Sequence, residues 1–494
     1  MAQNDLILGI DVGTTSVKGA LYKLDGECLL LRSLAYPTMR PRPGWVEQDP
    51  AEWMTAIRTI CAEAQMVADG GKIVALGLTS QVNTHVFVDA NGNALLPAIT
   101  WQDQRCAAAA AKLDQMIPDD LRAVCWGSDF KPDASFLMSR VQWLVDEEPD
   151  LWQRTRWVLA PKDYCLLQLT GAVASDAISS VRLTDERGAY VSAAFGLIDG
   201  LAERLPALQP IEAVVGTVKA EFLRDTPPAV VGIMDAWAAL YGSGLAQHGD
   251  AYQVAGTSEV LGIISNANHG APGVITFPPL AGWYMHAGPT QLGGAAASWF
   301  ADFMKLASIE EVFTRAQQAM AHDQPLLFLP HLMGERAPLW DSNAKGAFLG
   351  MTGAHTVNDL ARATLEGVGH ASRLLLERLE QAAGFPVAAL KLSGGGARSE
   401  LWCQIKADIM DRPLQRLANI DTGPFGAALI AGVGTGIYVD YVTASGEAVK
   451  VDREFVPDGA KRNYYDALFG LYQESYQALV RVNAGFSERF ETSL

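Results

Sequence analysis

The stretch LGIDVGTTSVKGALY at residues 8–22 returns in altered form as YQVAGTSEVLGIIS at residues 252–265. Each is an apolar strand, a Gly-Thr-Thr or Gly-Thr-Ser corner and a second apolar strand. Too little chain separates the strands for a helix, so each reads as a hairpin. Gly13 and Gly256 stand 243 positions apart in a chain of 494 residues, so the motif recurs at about half the length. Such a repeat implies two similar domains, each offering one hairpin to a shared cleft. Glycine at the corner permits the tight turn, and the Thr14 and Thr15 hydroxyls and amides crowd around whatever sits above it. An anion such as a phosphate fits that cradle. Asp11 would repel an anion unless a cation stood between them, as Mg²⁺ does wherever ATP is bound. The position matching Asp11 in the second copy is Val254, so the first loop alone carries the metal-side carboxylate. Neither loop is a P-loop, because no Gly-Lys-Ser/Thr follows.

The rest of the chain suits this reading. Strand and helix patterns alternate throughout, which indicates an α/β class. PAEWMTAIRTICAEAQMVA is helical, with Trp53, Ile57, Ile60 and Cys61 on one face; KIVALGLTSQ is a strand, VFVDANGNALL a hairpin around Asn91-Gly92, and RCAAAAAKLDQMI a helix. The glycines and change of pattern at residues 239–251 place the domain boundary there, giving domains 1–246 and 247–494. The aromatic stripe of RNYYDALFGLYQESYQALVRV reads as core packing.

Charge and cysteine usage remove other classes. The net charge of −17 repels a phosphate backbone over most of the surface, so nucleic acid is not an expected partner. Cys28, Cys61, Cys106, Cys125, Cys165 and Cys403 are scattered without CxxC or zinc spacing and read as reduced thiols. No basic region precedes the first apolar run, which Asp11 soon breaks, and no span is long enough for a membrane. A cytoplasmic location is expected.

Three further stretches bear chemistry. PAVVGIMDAWAALYGSG puts Asp235 after an apolar strand and at the start of a helix, where α/β proteins keep reactive groups. A carboxylate there can accept the proton of a hydroxyl attacking phosphorus, or can merely cap the helix. LKLSGGGARSELWCQIKADIM gives a strand, three glycines and a helix with Leu401, Trp402, Ile405 and Ile409 on its apolar side. Glycines at that point let backbone approach a flat or phosphorylated ligand, or simply make a tight turn. DTGPFGAALIAGVGTG follows as a small-residue helix, expected to pack close to that site.

GAFLGMTGAHTVNDLARATLE at residues 346–366 meets every constrained position of the second signature of the FGGY carbohydrate kinases, from Gly346 and Gly350 to Ala363 and Glu366. The chain resembles that family over essentially its whole length. GWVEQDPAEW, AITWQDQR, LAPKDYCLLQLTG and GGGARSELW look like its xylulokinase-type members. The resemblance implies two actin-like, ribonuclease-H-like domains around a central nucleotide and sugar cleft. It implies phosphorylation of a sugar or polyol from Mg-ATP, with a small molecule and ATP as the partners and a homodimer as an arrangement the chain allows. Position by position, it makes Asp235 the catalytic base, Asp11 and Asp235 the metal-side carboxylates, and Thr14, Thr15 and Lys18 the first nucleotide-phosphate set. Gly256 and Thr257 become the second phosphate loop. Gly395, Gly396 and Arg398 become the adenosine side. Gln81, Val82, Asn83, Trp101, Asp103 and Asp235 become the sugar side.

Two departures bear on specificity. In SFLMSRVQWLVDEE, Arg140 stands where the first signature usually has lysine, and Leu137 where it has a small residue. In LTSQVNTHVFVD, Asn83 replaces the histidine that contacts sugar in xylulokinase-type members, while His85 is expected on the other side of the strand. D-xylulose is the first expectation for substrate; other ketopentoses such as ribulose, pentitols, erythritol and glycerol are the alternatives. A non-catalytic actin-like sensor of sugar and ATP is a second class, disfavoured by the presence of Asp235. A nucleotide-dependent chaperone would need a peptide-binding domain for which little chain is left.

Overall fold

A computed structural model describes residues 4–117, 131–180, 182–185, 187–280, 282–319 and 325–490. Cys125 lies outside the described residues; the five cysteines within them are free. The chain forms two compact units, Met1–Gly244 with Asp421–Val449, and Leu245–Ile420 with Lys450–Leu494. Each holds one seven-stranded mixed sheet.

In the first unit Asp5–Val12 pairs antiparallel with Ser16–Lys23, which pairs antiparallel with Cys28–Ala35. On its other edge Asp5–Val12 runs parallel to Lys72–Ser80, and that strand parallel to Pro228–Val230 and Ile233–Met234. The second unit repeats the pattern. Ala251–Ala255 pairs antiparallel with Glu259–Ser265 and parallel with Leu390–Ser393, beyond which lie Leu414–Leu417 and Val451–Phe455. The expected duplication is thus a duplication of sheets, and both match the ribonuclease-H-like arrangement.

Strand alternation gives the first sheet two apolar faces. Leu6, Leu8, Ile10 and Val12 share a buried cluster with Trp53, Ile57 and Ile60 of the helix Pro50–Val67. Fully burying each such side chain contributes about 1.5–3 kcal/mol. The alternate positions Gly9 and Asp11 face the helix Thr422–Gly434. A Cβ on Gly9 would lie 1.8 Å from the Pro424 carbonyl oxygen, and one on Gly77 1.8 Å from that of Ala427. The small-residue helix therefore belongs to the first unit, seated on two strand glycines, and starts two residues after Ile420, whose carbonyl accepts from the Gly394 amide at 2.9 Å.

The hairpin expected around Asn91-Gly92 is a tight turn, with Gly92 donating to the Asp89 carbonyl at 3.1 Å. Its first strand, Val86–Val88, takes Trp157–Leu159 as its main partner. The terminal helix Arg462–Phe490 buries Tyr465, Phe469 and Tyr472, as its aromatic spacing predicts. Among the described residues no helix is long and apolar enough to cross a membrane.

Candidate active site

In the first unit the parallel strands bring their C-terminal ends together: Asp11 pairs with Thr79, and Thr79 with Ile233, two residues before Asp235. Asp11 is half-buried, yet its Oδ1 is sealed from solvent and meets no donor. Burial first, then the charge of Asp235, push its carboxyl up to about 7, with Lys18 opposing. Asp235 opens the helix Asp235–Gly242, its Oδ1 accepting from the Ala236 amide at 2.8 Å. Burial pushes it up to about 6, against that hydrogen bond. Asp235 is thus the first residue of its helix and not its cap, a position Met234 holds, and its bond to Ala236 leaves a carboxyl poised near neutral pH.

These groups fit a hard divalent cation. Among the described residues no cluster of three or more metal-ligating side chains occurs. Mg²⁺ needs no such cage: it is held by one or two carboxylates together with substrate phosphates. The orphaned Asp11 Oδ1 is a buried anionic acceptor without a partner, the kind of group a cation satisfies. The N-terminus of the helix Thr422–Gly434 comes close beside it, where a Cβ on Gly423 would lie 2.6 Å from Asp11 Oδ2.

The corner between the first two strands is held from behind. Gly13 donates to the Ser16 carbonyl at 3.1 Å, and the Tyr36 hydroxyl donates to the Gly13 carbonyl. Gly13 does not need positive φ; it leaves room, since a Cβ would stand 3.2 Å from the Ser16 oxygen. Gln48 Nε2 donates to the Thr14 carbonyl at 2.7 Å, and Gln81 Nε2 to Gln48 Oε1 at 2.8 Å. Gln48, within GWVEQDPAEW, is a supporting residue that no local motif marks. Gln81 Oε1 is buried without a donor. Thr15 is exposed. Lys18, expected at the nucleotide phosphates, pairs instead with Asp421 at 2.6 Å.

The expected sugar-side residues divide. Trp101 is 41% exposed, and its indole Nε1 donates to Thr14 Oγ1 at 3.1 Å, joining this segment to the first loop. Val82 and Asn83 are half-buried in a bend, with Asn83 at φ +54°. Asp103 departs from expectation. It is wholly buried; Oδ2 accepts from the Val46 amide at 2.6 Å, and both oxygens are taken by Arg105, which also reaches Glu47 at 2.7 Å. With its acceptors used, Asp103 positions this segment rather than meeting a sugar. His85 is buried against Arg140.

In the second unit Gly256, Thr257, Gly395, Gly396 and Arg398 line one pocket of about 790 Å³. Its walls include Trp299, Phe313 and Trp402, with Ser298, Asp302 and Glu310 as polar groups. An apolar pocket of that size with a few polar groups suits a nucleoside. Gly394 takes φ +84°, and a Cβ there would lie 2.6 Å from the Ala255 carbonyl oxygen, so glycine is required at that turn. Gly256 donates to the Ser258 carbonyl at 2.9 Å and accepts from the Gly294 amide at 2.8 Å. Beneath the loop, buried Glu259 pairs with Lys406 and accepts from Ser372 Oγ at 2.6 Å. Neither this ion pair nor the stretch 294–313 carries a motif that would have announced it.

Residues 6–242 match the N-terminal domain, and residues 251–435 the C-terminal domain, of the FGGY family of carbohydrate kinases. The chain is 31% identical to xylulose kinase of Escherichia coli (strain K12), covering 97% of this chain and 100% of that one. It is 32% identical to glycerol kinase of Methylibium petroleiphilum over 91% of this chain and 95% of that one. The crystal structure of xylulose kinase from Rhodospirillum rubrum superposes with a TM-score of 0.83 at 26% identity, covering 97% of this chain and 100% of that one. The actin-like architecture of both sheets and the two full-domain matches agree: this chain belongs to the FGGY family of carbohydrate kinases.

Proposed function

We propose that the protein transfers the γ-phosphoryl group of ATP to a primary hydroxyl of D-xylulose. The observation that carries the reaction is the pair of half-buried carboxyls, Asp11 and Asp235, at adjoining strand ends. Asp235 accepts the proton of the attacking hydroxyl. A carboxyl poised near 6 is largely ionised at neutral pH, yet basic enough to share a proton in the transition state. Asp11, with Asp235 beside it, would hold Mg²⁺, which supplies charge neutralisation at the transferred phosphoryl group. The Gly13–Thr15 and Gly256–Thr257 corners offer amides and hydroxyls to phosphate oxygens, and the pocket over Gly395 and Gly396 takes the adenosine.

The choice of sugar rests on the relatives' names and on the segments around Gln81 and Trp101. Cations near these segments are already committed: Lys18 to Asp421, Arg105 to Asp103 and Glu47, and Arg140 to backbone carbonyls. That supports a neutral acceptor. A second reading, a smaller polyol such as glycerol, is favoured by Asn83 in place of histidine and by the glycerol kinase relatives. ADP release from Mg-ATP across a panel of neutral C3–C6 ketoses, aldoses and polyols tests both. D-xylulose should give the highest kcat/KM. A polyol ranking first replaces the sugar, and no ADP release with any acceptor overturns the kinase reading.

A further inference from the structure

Arg140 lies in the helix Leu137–Glu147, wholly buried, and faces no carboxylate within salt-bridge distance among the described residues. Its guanidinium is spent on backbone. Nη1 donates to the Asn83 carbonyl at 2.5 Å and the Ile99 carbonyl at 2.6 Å, and lies 2.9 Å from His85 Nδ1. Nη2 donates to the Thr100 carbonyl at 2.5 Å, and Nε to that of Ala134 at 3.4 Å. Burial and the adjacent guanidinium hold His85 well below the usual imidazole range, so the ring against Nη1 is neutral.

Two of these carbonyls bracket the sugar side. Asn83 sits in the left-handed region, which asparagine adopts more readily than other non-glycine side chains in a tight bend. Thr100 immediately precedes Trp101, whose indole is hydrogen-bonded to Thr14. The first segment is also joined to the second directly: His85 and Ile99 exchange amide-to-carbonyl hydrogen bonds at 3.1 Å each way, and Thr84 Oγ1 accepts from the Trp101 amide at 3.2 Å, while Asn83 and His85 line a small cavity of about 30 Å³ with Phe136, Leu137 and Asp163. Those bonds hold Thr84 and His85; the Asn83 carbonyl itself is held by the guanidinium. Lysine could not substitute, because three donors on one nitrogen cannot span carbonyls on separate segments as a planar fork does.

We propose that Arg140 is a positioning residue for acceptor choice: one guanidinium ties the Asn83 bend to the backbone before Trp101 and so sets the shape in which the sugar is held. This rests on the sugar-kinase reading above. The test is Arg140→Lys, assayed for KM and kcat with both substrates and for ranking across the neutral-sugar panel. The expected result is a KM for the best sugar raised tenfold or more, a KM for ATP within twofold of wild type, and a flattened ranking. A folded variant with unchanged sugar KM, or with both KM values raised together, overturns the clamp. Where R140K does not fold, His85→Leu decides: it removes the ring lying 2.9 Å from Nη1 and leaves the guanidinium. A threefold or greater rise in sugar KM alone then supports the clamp, and an unchanged value overturns it. A wild-type chain inactive on every panel member overturns both readings, whereas an active wild type with an indifferent variant overturns the clamp alone.

Discussion

Asp235 must accept a proton and also start a helix, and the two demands separate by substitution. Asparagine keeps the oxygen that accepts from the Ala236 amide but cannot take a proton. Asp235→Asn should lower kcat by roughly 10²–10⁴-fold while leaving ATP binding and thermal midpoint near wild type; near-normal turnover would reduce Asp235 to a helix-starting group. Since the base must be ionised, kcat/KM for the sugar should fall as pH drops below about 6. Asp11 makes a separate prediction about stability. Its folded carboxyl, near 7, lies above the 3.8 of a solvent-exposed aspartate. The folded state therefore binds more protons than the unfolded state between those values, and stability falls as pH rises through that window. Without Mg²⁺, calorimetry should show the midpoint of the first unit declining from pH 5 to pH 8. Asp11→Asn should flatten the decline, and a wild-type midpoint that rises over this range would contradict the burial of an unpaired carboxylate.

The helix Thr422–Gly434 shows how tightly one element can be specified by the absence of side chains. It sits on Gly9 and Gly77 of adjoining strands, and a Cβ on its own Gly426 would lie 1.7 Å from the Ala238 carbonyl oxygen. Gly77→Ala must push this helix off the strand ends, so a loss of about 3 kcal/mol or more is expected. Gly446→Ala, in the helix Tyr441–Ala448, meets nothing within 4 Å and should be neutral or stabilising by up to about 1 kcal/mol. Thermal midpoints of the two variants check the pair, and equal shifts would contradict the packing described. The same helix marks where sequence reading ended. Alternation and turn chemistry are local, so the hairpin at Gly13, the helix at Pro50 and the strand before Asp235 were legible. That residues 421–449 cross back into the first unit was not, because small residues announce close packing without naming the partner. Asp103 sits in a segment that carries the family resemblance, which points it at the sugar, but its burial under Arg105 depends on Glu47 and Val46 far along the chain. Arg140 was visible only as a departure from a pattern; its carbonyl partners exist only in the fold.

At the scale of the molecule, two sheets of one design carry unequal chemistry. Both loops tie a glycine amide to a nearby carbonyl, Gly13 to Ser16 and Gly256 to Ser258. Duplication of a strand–corner–strand unit explains the shared geometry, and divergence at one position explains the division of labour. Asp11, next to last in its strand, carries a carboxyl whose Oδ1 lacks a partner, whereas Val254 in the second sheet pairs with Val260 and Ser393 as an ordinary strand residue. The second loop is steadied instead by the buried Glu259–Lys406 pair, whose remaining acceptor is filled by Gln253 and Ser372. A carboxylate satisfied in this way has no call on a cation, while one left orphaned does. Metal dependence should therefore be one-sided. Asp11→Ala should raise the Mg²⁺ concentration needed for half-maximal turnover and cut kcat by at least 10²-fold, as loss of a carboxylate at a phosphoryl-transfer metal would. Val254→Ala removes only two methyl groups from a half-buried strand position and should cost about 1 kcal/mol of stability with Mg²⁺ dependence unchanged. Steady-state kinetics against Mg²⁺ concentration at saturating ATP and sugar separate these outcomes. Equal losses in the two variants would mean that the loops share the cation, and that the one-residue difference between the copies does not assign the metal to the first.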